Sequence, residues 1–156
     1  MPAASAVGTL HPRSPRYQRL PILDGFDWAT YFAGCDDGEW YCVVFRSVRR
    51  PDASAELLTE FDNRAHAEAL ASGGLLLYFR GEMDAEGGCL SLCLWTDHDA
   101  ARTALALPQH HAATQLARSM YEWFHLERYR IRKAADGRIT AEPWRAETQE
   151  LAITTA

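Results

Sequence analysis

Two short apolar runs joined by a turn constrain this chain more than any other feature. Residues 75–82 (LLLYFRGE) and 89–95 (CLSLCLW) are rich in side chains that suit a pleated sheet. The stretch between them, residues 84–88, is made of Asp, Ala, Glu and Gly, so the two runs read as antiparallel strands joined by a short connection. In the second run Leu90, Leu92 and Leu94 lie on one face, and Cys89, Ser91, Cys93 and Trp95 on the other.

The flanking segments extend this hairpin into a domain. Residues 40–48 (WYCVVFRSV) read as an earlier strand. After Pro51, a helix is predicted over residues 53–72, because Leu57, Leu58, Ala65, Ala69 and Ser72 fall within about 80° of Phe61 on a helical wheel. Gly73-Gly74 ends it. Thr96 caps the next helical region, with Asp99 three residues on, and Asp97 and Asp99 suit the positive end of a helix. Pro108 divides that region into a short piece and a longer helix predicted over residues 108–124, with Ala113, Leu116, Ala117, Met120 and Phe124 as its apolar stripe. Residues 126–133 read as a fourth strand, Asp136-Gly137 as a hairpin turn, and residues 138–141 as a short returning strand.

The resulting order, βαββαβ, is that of an α+β ferredoxin-like domain over residues 40–145. Residues 1–39 form an irregular arm, broken by Pro2, Pro12, Pro15 and Pro21. Its Phe26, Trp28, Tyr31 and Phe32 call for a surface to pack on, either the domain or a partner chain. Residues 146–156 form a tail. Two helices take one sheet face; the other, assigned Trp95, finds no third layer in the chain. Dimerisation through the sheet, as a dimeric α/β barrel, is therefore expected.

Composition bounds the function. With 156 residues, 47% hydrophobic and 24% charged, the chain is one globular domain. A net charge of −5 argues against nucleic acid as a partner, and the cations Arg128, Arg130, Arg132 and Lys133 read as a solvated strand face. No apolar run reaches the length of a membrane span, and the first ten residues lack the basic and apolar regions of a secretion signal, so a cytoplasmic protein is expected. Cys89 and Cys93 are about 13 Å apart along a strand, too far for a disulfide or a shared metal ion. The chain has no H-E-x-x-H, G-x-G-x-x-G, P-loop or G-x-S-x-G pattern, so no metal, nucleotide cofactor or hydrolase nucleophile is expected.

Several segments are similar to a protein family with fungal and bacterial members. These are Phe45-Arg46-Ser47-Val48-Arg49, Ala65-His66-Ala67-Glu68-Ala69, Ser72-Gly73-Gly74-Leu75-Leu76, Cys93-Leu94-Trp95, Pro108-Gln109-His110, Met120-Tyr121-Glu122 and Leu126-Glu127-Arg128-Tyr129. That family brings no assigned function with it. The layout also resembles the dimeric α/β-barrel superfamily, which includes antibiotic-biosynthesis and haem-degrading monooxygenases. The resemblance implies a small-molecule enzyme, with haem as an alternative ligand through His110.

Candidate chemistry lies on the two long helices and the middle strands. His110 falls at the edge of its helix's apolar stripe, with Tyr121 on the same edge, whereas His111 falls on the solvent face. With an ordinary pKa of about 6.5, His110 suits a general acid or base, an axial haem ligand, or a hydrogen-bonded boundary residue. Glu68 lies inside the apolar stripe of the first helix, so it is expected to be paired with Arg46 or Arg80, to be protonated, or to face a polar cavity or water. Asp62 and His66 are four apart, the spacing of an Asp that orients a His and equally of a surface contact. Tyr78 and Arg80 share a strand face, where Arg80 suits an acidic ligand or an interfacial salt bridge.

The expected function is acid/base catalysis, of monooxygenase, isomerase or cyclase type, on a hydrophobic, aromatic or polyketide-like substrate. Glu68, His110, His66 and Asp62 are the catalytic candidates; Tyr78, Arg80, Trp95 and Tyr121 are the substrate-binding ones. The alternative is a non-catalytic ligand-binding or interaction protein.

Overall fold

A computed structural model describes residues 9–145. Five strands form one antiparallel sheet in the order β2-β3-β1-β4-β5: β1 (Gly38–Arg49), β2 (Leu75–Arg80), β3 (Gly88–Trp95), β4 (Tyr121–Lys133) and β5 (Ile139–Pro143). The arm contains the short helices α1 (Ile22–Gly25) and α2 (Trp28–Tyr31). The long connections carry α3 (Ala55–Ser72), α4 (His98–Leu105) and α5 (Pro108–Met120). This is the α+β ferredoxin-like order, with β5 added as a hairpin on β4. The tail of residues 146–156 lies outside the described residues.

Local chemistry sets the helix ends. Ser54 caps α3, its side chain accepting from the Leu57 amide at 3.2 Å, and Gly73 and Gly74 close it at φ 84° and 81°. Gly74 is also required for close approach, since a Cβ there would stand 2.5 Å from that of Ala100 on α4. The α4 cap is Asp97, one residue beyond the expected Thr96, with its carboxylate on the Ala100 amide at 2.8 Å. The final helix stops at Met120 rather than at residue 124. Residues 121–125 join β4 because they pair with β1, Phe124 opposite Ser47 and Tyr121 opposite Arg49.

The two sheet faces are covered by different layers, and here the sequence expectation is corrected. Trp95 is not on an uncovered face. It is 3% exposed and packs with Ala69, Ala101, Ala104 and Tyr41 under the helices. The opposite face, carrying Leu90, Leu92, Leu94, Trp40, Cys42, Val44 and Ile131, is covered by the arm. Phe26, Trp28, Tyr31 and Phe32 are all buried there. Phe32 stacks on Trp40 at 4.3 Å, and Phe26 and Tyr17 meet Phe79 edge-on at 5.0 and 5.6 Å. The arm supplies the third layer, so among the described residues this face is covered within the chain and does not call for a second one.

Arg46 fastens that layer. Its guanidinium is buried and donates to the carbonyls of Gln18 (2.9 Å) and Leu20 (2.8 Å) in the arm and to Glu127 on β4 (2.8 Å). Burial would raise the pKa of Glu127, but hydrogen bonds from His125, Tyr129 and Arg46 outweigh it and hold the carboxyl below its ordinary value. Among the described residues, no helix is long and apolar enough to cross a membrane.

Candidate active site

The helix side of the sheet is a wedge of burial, dense at one end and only half-buried at the other. At the dense end, small residues of α3 and α4 seat directly on Trp95 and Tyr41. Towards the start of α3 the burial falls. Leu58 and Phe61 are only half-buried and Leu57 is 41% exposed, although the wheel places all three on the core stripe. Facing them are half-buried aromatics of the sheet: Phe45, in contact with Tyr121 (5.4 Å) and stacked with Phe124 (5.4 Å).

Asp62 on α3 is the charged centre of this side. It accepts the Tyr78 hydroxyl at 2.6 Å and pairs with the Arg80 guanidinium, which also reaches Asn63. Its partners are therefore on β2, sixteen and eighteen residues away. The structure gives no Asp62–His66 hydrogen bond; His66 instead packs its ring against Tyr78 at 4.8 Å. Burial, then the Asp62 carboxylate, drives the Tyr78 hydroxyl well above its ordinary pKa, so it remains a proton donor. Cys93, half-buried beside the same charge, is pushed up to about 12 by desolvation first and by Asp62 second, and stays a thiol. Burial also raises Tyr121, with Arg49 opposing the shift.

His110 comes to the same side from the first turn of α5. Desolvation lowers its pKa, while the charges of Glu68 and Asp62 act in the opposite sense. The result is an imidazole neutral at pH 7 and able to accept a proton. His111 is exposed and bonds Gln115 at 3.1 Å, as expected of the solvent face.

Glu68 has a partner that side-chain reasoning does not reveal. Its carboxylate accepts the backbone amide of Gln109 at 3.0 Å. Pro108 is the first residue of α5, and Leu107, in the capping position, offers no side-chain acceptor. Glu68 therefore caps α5 from another helix, with its charge at the positive end of the helix dipole. It does not pair with Arg46, which lies on the arm side, or with Arg80, which is held by Asp62.

Of the predicted residues, Asp62, His66, Tyr78, Arg80, Glu68 and His110 thus form one neighbourhood. Tyr121 borders it, within reach of the Asp62 charge. Trp95 does not join it, being core at the dense end. Sequence reasoning missed Phe45, Phe124 and Arg49, which the β1–β4 register brings to the half-buried end; locating β4 correctly would have revealed them. Among the described residues, no three His, Cys, Asp or Glu side chains are grouped to hold a metal ion, so Asp62, His66 and His110 do not form such a set.

Comparison with known proteins bears out the architecture. A proposed antibiotic biosynthesis monooxygenase from Caulobacter crescentus is 21% identical and superposes with a TM-score of 0.50, over 57% of this chain and 86% of its own. Rv0793 from Mycobacterium tuberculosis is 15% identical, with a TM-score of 0.50 over 69% of this chain and 99% of its own. At these identities the likeness establishes the ferredoxin-like fold alone. UPF0643 protein PB2B2.08 of Schizosaccharomyces pombe is 32% identical over 144 residues, 81% of this chain. The match spans 66% of the fission-yeast protein, just under two thirds of its length. Residues 2–147 match the family described as PB2B2.08-like, and the chain belongs to that family.

Proposed function

We propose that this protein is a cytoplasmic small-molecule enzyme that moves a proton on a hydrophobic, aromatic or polyketide-like carbonyl substrate, without a nucleotide cofactor. The observation that carries this reading is the pairing, on one side of the wedge, of a neutral imidazole with a high-pKa phenol. His110 accepts a proton next to the carbonyl. Tyr78, whose single hydroxyl hydrogen rests on Asp62 in the free protein, turns it to the oxygen on which charge develops, while Arg80 holds the carboxylate it leaves. Glu68 positions His110 by fixing the first turn of α5. The half-buried Phe45, Phe124 and Tyr121 offer ring faces to the substrate.

The resulting enolate opens the monooxygenase, isomerase or cyclase routes, and the name given to the Caulobacter structure supports the first. The carboxylates around His110 suit a proton-transferring imidazole better than an axial ligand set against an apolar porphyrin, so the haem alternative does not fit the residues present. Assembly as a homodimer belongs to this proposal. Trp123 and Leu126, 49% and 43% exposed, stand on the part of β4 that precedes its pairing with β5.

Anthrone, whose benzylic hydrogens lie across the ring from a ketone, is a suitable probe. The protein should accelerate exchange of those hydrogens in D2O, and His110→Gln should slow it by roughly 10²-fold. Tyr78→Phe should reduce the rate while leaving probe binding intact. Exchange no faster than buffer, or unchanged in His110→Gln, would overturn the proposal and favour the non-catalytic binding protein.

A further inference from the structure

The half-buried end of the wedge holds polar groups that proton transfer does not use. Ser47 is 1% exposed, and its Oγ is buried without a hydrogen-bond partner. The Nε of Arg49 is likewise buried and unpartnered. The register sets both beside the aromatics: Ser47 lies between Cys89 and Phe124, and Arg49 is opposite Tyr121. The Arg49 charge acts on Tyr121 and Cys89; another part of the Arg49 guanidinium also interacts with the Tyr121 hydroxyl, and the Cys89 thiol lies beside the Ser47 hydroxyl.

Arg49 also lines an open depression of about 450 Å³, together with Arg50, Met83, Glu86 and Glu122. Glu86 is engaged by Arg19 at 2.9 Å, and Arg50 donates to the Tyr121 carbonyl at 3.2 Å. Glu122 is left as the rim carboxylate. Arg49 therefore stands between this depression and Tyr121, its strand partner, with its inner nitrogen unsatisfied. Such a donor is unfavourable until an acceptor reaches it. The planar guanidinium fork matches a carboxylate, and the Tyr121 hydroxyl beside it is a further donor.

We infer that Arg49 and Tyr121 bind a carboxylate of the substrate, with Ser47 as a donor beneath them, so that the substrate is an aromatic acid whose ring lies on Phe45 and Phe124. This deepens the proposed function and rests on it.

Calorimetry with anthraquinone-2-carboxylate and its neutral analogue 2-(hydroxymethyl)anthraquinone tests the inference. The acid should bind at least about tenfold more tightly. Arg49→Gln should abolish that preference without weakening the neutral probe. Arg49→Lys, which keeps the charge but not the fork, should retain part of it and guards against a folding defect in the first variant. Arg50→Gln should leave it in place. Equal affinities for the two probes, or a preference that survives Arg49→Gln, would overturn the acid subsite. The anthrone exchange test would still stand, because it reads His110 and needs no carboxylate. If neither probe binds, the aromatic wedge and the acid subsite fall together.

Discussion

The two faces of the sheet are built from alternate residues of the same strands, yet they are filled differently. On the arm side, Trp40, Cys42 and Val44 meet a layer of aromatic rings, and the buried Arg46 is paired with a carboxylate and two carbonyls. On the helix side, Tyr41 is buried while Val43 and Phe45 are half-buried, and two carboxylates, two imidazoles, two phenols and two guanidinium groups gather there. One face closes the fold. The other keeps unspent polar chemistry next to partly exposed rings, an arrangement that suits ligand binding better than stability.

The largest effect that could break this comparison is a matched pair of truncations across the sheet. Phe32 is fully buried, stacked on Trp40 and edge-on to Tyr31 at 4.8 Å. Phe32→Ala should cost about 3–5 kcal/mol in urea unfolding. Phe45→Ala removes the same ring from the half-buried side and should cost distinctly less, about 1–3 kcal/mol. Equal losses would mean that the helix side is packed as tightly as the arm side, and the wedge would have to be abandoned.

A smaller effect sharpens the description of the helix side. Glu68→Ala removes the side-chain cap on the α5 N-terminus and should cost about 1 kcal/mol. Glu68→Gln keeps an acceptor for the Gln109 amide and should lose less, chiefly the interaction of the charge with the helix dipole. A loss of several kcal/mol in Glu68→Gln would instead mark the carboxylate as part of a buried ion pair.

How much of this was legible in the sequence differs by level. The hairpin, the helices and the alternation of Leu90, Leu92 and Leu94 against Cys93 and Trp95 follow from periodicity within short windows, and the structure matches them. Which layer covers which face does not follow, because both faces are apolar and the arm has no regular pattern to announce its target. Phe124 fits a helical stripe with Ala113 and Ala117, and only pairing with β1 makes it a strand residue. Asp62 has His66 at a helical spacing, but its partners sit on a neighbouring strand. Glu68 was conspicuous as a carboxylate in an apolar stripe, but its partner is a backbone amide forty-one residues away, which no residue type reveals.

The smallest effect, and the one that separates the two faces electrostatically, is the titration of His110. Its pKa in the folded protein lies below the ordinary value because desolvation outweighs the pull of Glu68 and Asp62. Between the folded-state pKa and about 6.5 the unfolded chain therefore binds more protons at this position than the folded one. Stability from this group is complete above about pH 6.5 and declines as pH falls through that window, levelling once the folded imidazole is also protonated. Urea unfolding at pH 7.5 and at pH 5 should show an acid loss that shrinks in His110→Gln, by less than the capping effect of Glu68. NMR titration of the His110 ring should place its midpoint below the ordinary histidine value of about 6.5. A midpoint above that value would mean that the carboxylates win. His110 would then be an imidazolium locked to α3, and the helix side would hold a satisfied ion pair as the arm side does with Arg46 and Glu127. In that case the general base of this site would have to be Asp62 or Glu68 rather than His110.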